Sequence, residues 1–257
     1  ACKAICDHAD PQKTTPEEVQ ELLQRYKMTA VSMTLFLMSG EERRERMKFA
    51  AALRIPTVIW EPAQSTDWAD HMTNLNPISV PYGSPRGNFS EYIEQLKQDL
   101  AYAKSLGLKV GIEVPHCYTF NEYLYQIYKT DQCIDDDALS YIIAPPHANA
   151  RGYEAEDVYD LVAHSRAYML YLWDIKKGFS FPESDRAFGA GDEQMPGGGQ
   201  RNFQAQIDAF AEKGFTGWYN VSCHGTEGWN DLQKINNCLK NAYRLVEPIL
   251  QAKEGTV

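Results

Sequence analysis

A chain of 257 residues has the usual length of one alternating β/α barrel domain, and it can bury a large core without disulfide or metal staples. Its 25 basic against 35 acidic residues leave a formal charge of −10, which disfavours nucleic-acid phosphates and anionic membranes as partners. With no run of about 18 apolar residues and no charged-then-apolar leader, a membrane span is not expected.

The predicted elements alternate along the chain. KAICDH reads as a strand, and a chain that opens with Ala1 so close to it reads as a mature or truncated form. PEEVQELLQRY follows as a helix started by Thr15 and Pro16, then TAVSMTLFL as a strand. EERRERMKFAAAL, behind Ser39 and Gly40, is the next helix, and PTVIWEP the next strand. Residues 62–90 are too long and too rich in proline and glycine for an ordinary crossover, so they read as a lid over the mouth of the fold or as a flexible insertion. FSEYIEQLKQDLAYAKSL is a helix ended by Gly107, followed by the strands LKVGIEV and SYIIAPP. AEDVYDLVAH is a helix, AYMLYLWD a strand, FQAQIDAFAEKG a helix ended by Gly214, and GWYNVS the last strand. Between the last two strands lies FGAGDEQMPGGGQRN, whose backbone amides could cradle an anion or simply form a mobile connection. Seven strands are legible where a closed barrel has eight, so the first is missing or one is hidden in residues 62–90. Six scattered cysteines, Cys2, Cys6, Cys117, Cys133, Cys223 and Cys238, lack metal or redox spacing; they read as cytoplasmic thiols, with disulfides as the other reading.

Four of the strands run into polar groups: Glu113, His147, Asp174 and His224. The carboxyl ends of parallel barrel strands are where such folds keep their chemistry. Period-two alternation places Val110 and Ile112 under the helices and points Gly111 and Glu113 inward. The same argument points Met169, Tyr171 and Trp173 inward, and Trp218, Asn220, Ser222 and His224 with them. An inward carboxylate needs a cation, a metal or a proton, so Glu113 reads as a catalytic or ligand residue, or as half of a buried ion pair. His147 is its companion, while Asp174 and His224 could bind ligand or satisfy loop backbone instead. His116 and Glu61 have no fixed direction. Trp60, Tyr171, Trp173 and Trp218 could floor a sugar-stacking pocket or fill core.

These segments carry a resemblance. TPEEVQELLQRYKMTAVSM, GLKVGIEVPH, FGAGDEQMPGGG and FAEKGFTGWYNVS resemble the helix, ligand-bearing strand, glycine loop and closing strand of the xylose isomerase-like TIM-barrel superfamily of sugar and sugar-phosphate isomerases and epimerases. The resemblance runs over most of the chain, implies a single domain over residues 1–257, and makes KAICDH the family's second strand. It also implies one divalent cation held by Glu, Asp, His and Glu. Glu113 matches the first ligand, but Ala144, Tyr171 and Ser222 stand at the other three positions. Either the site is rewired, with Glu113, His147 and His224 holding manganese, zinc or magnesium, or the barrel works without metal.

The resulting expectation is a sugar or sugar-phosphate isomerase or epimerase acting by proton abstraction next to a carbonyl. Glu113 and His147 are the catalytic pair, and Tyr171, Trp173, Asp174, Ser222 and Arg201 bind the substrate. The partner is a small sugar, with a homo-oligomer allowed for. The alternative is a degenerate barrel that binds carbohydrate without turnover. The superfamily's DNA-repair nuclease branch is disfavoured, because it needs several metals and a basic face.

Overall fold

The structure is a computed structural model that describes residues 4–7, 11–35, 38–60, 89–113, 123–149, 154–162, 166–178, 191–221 and 231–254. It divides into two compact units, one of residues 2–119 with 129–140 and one of residues 1, 120–128 and 141–257. The expected lid at 62–90 falls almost wholly outside the described residues, as do Glu61, His116, Ser222 and His224.

In the first unit the order is β1 (Ala4–Asp7), α1 (Pro16–Tyr26), β2 (Thr29–Thr34), α2 (Gly40–Ala52), β3 (Thr57–Trp60), α3 (Phe89–Ser105) and β4 (Lys109–Glu113). These four strands pair in parallel and in chain order. Helix α4 (Tyr123–Cys133) and strand β5 (Leu139–Ile143) each contribute residues to both units. At the start of β5, the Val110 N–H donates to the Ala138 carbonyl at 2.8 Å and Ser140 Oγ to the Val110 carbonyl at 3.2 Å. The second unit continues with α5 (Pro145–Asn149), α6 (Ala155–Leu161), β6 (Ala167–Leu172), α7 (Gly191–Gln194), α8 (Phe203–Glu212), β7 (Trp218–Val221) and α9 (Leu232–Glu254). Its strands β5, β6 and β7 are also parallel neighbours. All seven segments read as strands from the sequence are strands, and each strand-to-strand crossover in the chain carries helix where it is described.

Local chemistry explains the helix starts. Thr15 Oγ1 accepts from the Glu18 N–H at 3.2 Å while Glu18 accepts from the Thr15 N–H at 2.8 Å, a reciprocal cap ahead of Pro16. Ser39 and Glu42 repeat the device on α2 at 3.4 and 2.7 Å. One local reading changes. PPHAN, expected as a turn ending a strand at His147, is the short helix α5, and β5 stops at Ile143. Proline at a first helical position gives up no hydrogen bond and presets φ, so the Pro-Pro pair starts a helical turn.

Two side chains fix which face of the strands in each unit meets the helices. Trp60 donates its Nε1–H to Asp99 on α3 at 2.8 Å and lies 5.6 Å from the Arg43 guanidinium of α2, which pairs with Asp99 at 3.0 Å. Trp60 therefore faces the helices and is buried among them, so it does not serve as a pocket floor. Opposed residues in a parallel pair share a face, so Ile112, Val58, Val110 and Met33 lie on the helix side with it. In the second unit, Tyr219 packs against Phe215, with ring centroids 5.2 Å apart, in a cluster with Tyr159 and Phe210. That puts Leu170 on the helix side and, by alternation, Tyr171 and its in-register neighbour Asn220 on the other.

Candidate functional site

In the first unit, the face turned away from α2 and α3 carries Ser32, Thr34, Thr57, Ile59, Gly111 and Glu113, as register and alternation require. Glu113 is the last residue of β4 and only 3 % exposed. Thr57 Oγ1 is buried on the same face without a hydrogen-bond partner among the described residues. A carboxylate and several small hydroxyls thus share one side of a parallel sheet, with the carboxylate at its carboxyl end.

The second unit builds a tight clasp just past β6. Asp174 is 1 % exposed, and its Oδ1 accepts from the N–H groups of Ile175 and Arg201, both at 2.9 Å. Its Oδ2 accepts from the N–H groups of Gly197 and Gly199, both at 3.0 Å. The Asp174 N–H in turn donates to the Gln194 carbonyl at 2.9 Å, and the Gln200 N–H donates to the Ile175 carbonyl at 3.1 Å. The glycine loop does cradle an anion among its amides, and that anion is the chain's own Asp174. Gly199 is required there, because a Cβ would collide with the Ile175 carbonyl and the Asp174 carboxylate. Trp173, 4 % exposed, donates its Nε1–H to Gln194 Oε1 at 2.9 Å, so its indole is held by the same clasp.

The clasp delivers Arg201. Its Nη2 donates to Asn149 Oδ1 at the end of α5, and Asn149 Nδ2 donates to Glu154 Oε2 at 3.0 Å. Its Nε is sealed from solvent without a hydrogen-bond partner among the described residues. Burial pulls the Arg201 guanidinium down to about 10, against the opposing pull of Asp174, Glu154 and Glu156.

Tyr171, 5 % exposed, lies on the face of β6 turned from the helices. The backbone of His147 lies in α5, and its side chain is outside the described residues. Trp218 is 42 % exposed at the start of β7. Among the described residues no three His, Cys, Asp or Glu side chains come together as a metal site would need. Asn149 and Gln194 were not foreseen, because an amide that bonds only across the fold leaves no periodic or spacing signal.

A sequence profile described as the xylose isomerase-like TIM barrel matches residues 2–241. The chain belongs to the xylose isomerase-like TIM-barrel family. Solved structures share the fold at low identity. The IolI protein with a bound zinc atom has a TM-score of 0.65 and 14 % identity, over 94 % of this chain and 84 % of that one. A D-tagatose 3-epimerase-like protein gives 0.64 and 14 % over 98 % and 89 %. A xylose isomerase-like TIM-barrel protein from Mycobacterium smegmatis, in complex with magnesium, gives 0.62 and 15 % over 98 % and 83 %. No protein among those with curated functions matches the sequence. Within this family the parallel strands and intervening helices are those of a β/α barrel. Among the described residues no helix is long and apolar enough to cross a membrane.

Proposed function

We propose that the chain is a sugar or sugar-phosphate isomerase or epimerase that removes a proton next to the carbonyl of a small polyhydroxylated substrate. The observation that carries this is Glu113, buried at the carboxyl end of β4 on the face turned from the helices, with the hydroxyl-bearing Ser32, Thr34 and Thr57 on that same face. A carboxylate at the carboxyl end of a barrel strand is a group type suited to accepting a proton from a carbon next to a carbonyl. His147 serves as the partner acid, and Tyr171, Trp173, Ser222 and Arg201 bind the sugar, with Asp174 shaping the loop that carries Arg201. Family membership and the epimerase-like fold neighbour support the reading. Free thiols at Cys133 and Cys238 accord with a cytoplasmic setting.

The zinc and magnesium of the fold neighbours bear on the cofactor. Asp174 is unsuited to a metal, because backbone amides occupy both its oxygens. Glu113, His147 and His224 together have the donor chemistry of a one-carboxylate, two-imidazole zinc site, and a cation there would supply carbonyl polarisation. A second reading, carbohydrate binding without turnover, is favoured by the buried Ala144 and Tyr171 at positions where the family resemblance implies ligands.

Both are tested by incubating the protein in deuterium oxide with D-tagatose, other ketohexoses and their phosphates, while proton NMR follows the hydrogen next to the carbonyl. The enzyme reading expects exchange with the parent and a loss of about 100-fold or more in Glu113→Gln. Saturable sugar binding without exchange establishes the second reading. Exchange undiminished in Glu113→Gln removes Glu113 from the mechanism.

A further inference from the structure

We propose that Arg201 is the receptor for an oxyanion on the substrate, so that the natural ligand is an anionic sugar, a phosphate or a sugar acid. This rests on the sugar-processing reading above and sharpens it from a neutral or phosphorylated sugar to a charged one.

An arginine with a guanidinium nitrogen sealed from solvent, as Arg201 Nε is, ordinarily faces a carboxylate, because an uncompensated cation away from water is costly. Among the described residues Arg201 has no ion pair, and its guanidinium makes one hydrogen bond, to the neutral amide oxygen of Asn149. Nearby acids lower the cost of its charge without contacting it. Asp174 has both oxygens engaged by four backbone N–H groups, and Glu154 accepts from the Asn149 amide. Asn149 thus stands between Arg201 and Glu154, accepting from one and donating to the other, and fixes the guanidinium by a neutral contact.

That arrangement holds the cation in place without neutralising it. The backbone of Arg201 is pinned to Asp174, its side chain is pinned to Asn149, and Nε–H, closed to solvent, still has a hydrogen to donate. A guanidinium offers five donors in a planar fork that matches the oxygens of phosphate or carboxylate. The position is apt as well, since Arg201 meets the end of α5, which follows β5, and the residue just past β6. Both are carboxyl ends of parallel strands.

The test is calorimetric titration and thermal shift of the full chain with inorganic phosphate, D-fructose, D-fructose 6-phosphate and D-glucuronate. Phosphate and at least one charged sugar should stabilise the parent at concentrations where D-fructose does not, and the two charged sugars separate a phosphate from a carboxylate source. Arg201→Gln should weaken the charged sugar by about tenfold to a hundredfold, the contribution of a charge-assisted pair, and Arg201→Lys by less. The double exchange Asn149→Asp with Glu154→Gln keeps the net charge and moves the carboxylate against the guanidinium, so it should abolish the phosphate response in a folded protein. Unchanged anion affinity in Arg201→Gln or in the double exchange overturns the proposal, as does a parent that binds D-fructose and neither phosphate nor a charged sugar. Solvent exchange on neutral ketoses alone would sink the anion site and spare the isomerase reading. Anion binding through Arg201 with no exchange on any sugar would do the reverse.

Discussion

Tyr219 and Arg201 are both perturbed chiefly by burial, and they are linked to stability with opposite signs. Tyr219, packed against Phe215, holds its proton up to about 12 instead of 10.0. Between those values the folded chain binds more protons than the unfolded one, so the contribution of Tyr219 is complete below about pH 10 and is lost as pH rises towards 12. Arg201 titrates at about 10 in the fold, below its ordinary value, so above about pH 10 the folded chain binds fewer protons than the unfolded one, and this residue's contribution grows with pH. Urea denaturation between about pH 9 and pH 11.5 should show Tyr219→Phe losing less stability than the parent across that window and Arg201→Gln losing more. Parallel slopes for all three proteins would contradict the burial assigned to these two side chains. The sequence showed why Tyr219 turns outward, since alternation in GWYNVS puts it opposite Trp218 and Asn220. It could not show that Arg201 ends beside a neutral amide, because Asn149 is 52 residues away along the chain.

At the scale of elements, the clasp between the end of β6 and residues 194–201 is the most demanding piece of local structure. Asp174→Asn would turn an amide N–H towards two of the four backbone donors now facing the carboxylate, a loss of about 4 kcal/mol for two charge-assisted hydrogen bonds. Gly199→Ala drives a methyl into backbone and carboxylate together and should cost about 3 kcal/mol. Equilibrium denaturation checks both, and a cost under about 1 kcal/mol in either variant would mean that the clasp is looser than its hydrogen-bond lengths imply. The glycine run was legible as an anion cradle, but its anion was not, since Asp174 closes the contact across 23 residues. The caps at Thr15 and Ser39 were legible because every partner lies within three residues. Trp60 was not, because alternation alone leaves open which face meets helices, and its answer came from Asp99, 39 residues on.

For the whole molecule, the repeating strand-helix pattern made the fold class readable from end to end, while the expected chemistry rested on single positions such as Glu113. The resemblance implies that Ala144, Tyr171 and Ser222 stand where the family has ligands; the family match itself carries the architecture. The formal charge of −10 adds an expectation of its own. A net negative field opposes the approach of any anion, and raising ionic strength to about 150 mM contracts its reach to roughly 8 Å. Phosphate affinity at Arg201 should therefore rise, or at least hold, between about 10 and 150 mM sodium chloride, where a basic surface patch would lose affinity. A steep fall with salt would point to binding elsewhere, on exposed lysines.

The indoles of Trp60 and Trp173 give this chain two built-in optical reporters. Trp60 emits from beside a guanidinium and a carboxylate in one compact unit, and Trp173 emits from a clasp in the other, its N–H tied to Gln194. Exposure of either ring to water should shift its emission to longer wavelength. Subtracting the melting curve of each single tryptophan-to-phenylalanine variant from that of the parent would therefore isolate the change at Trp60 or at Trp173 from the emission of Trp68, Trp218 and Trp229, in an unlabelled protein to which no ligand need be added.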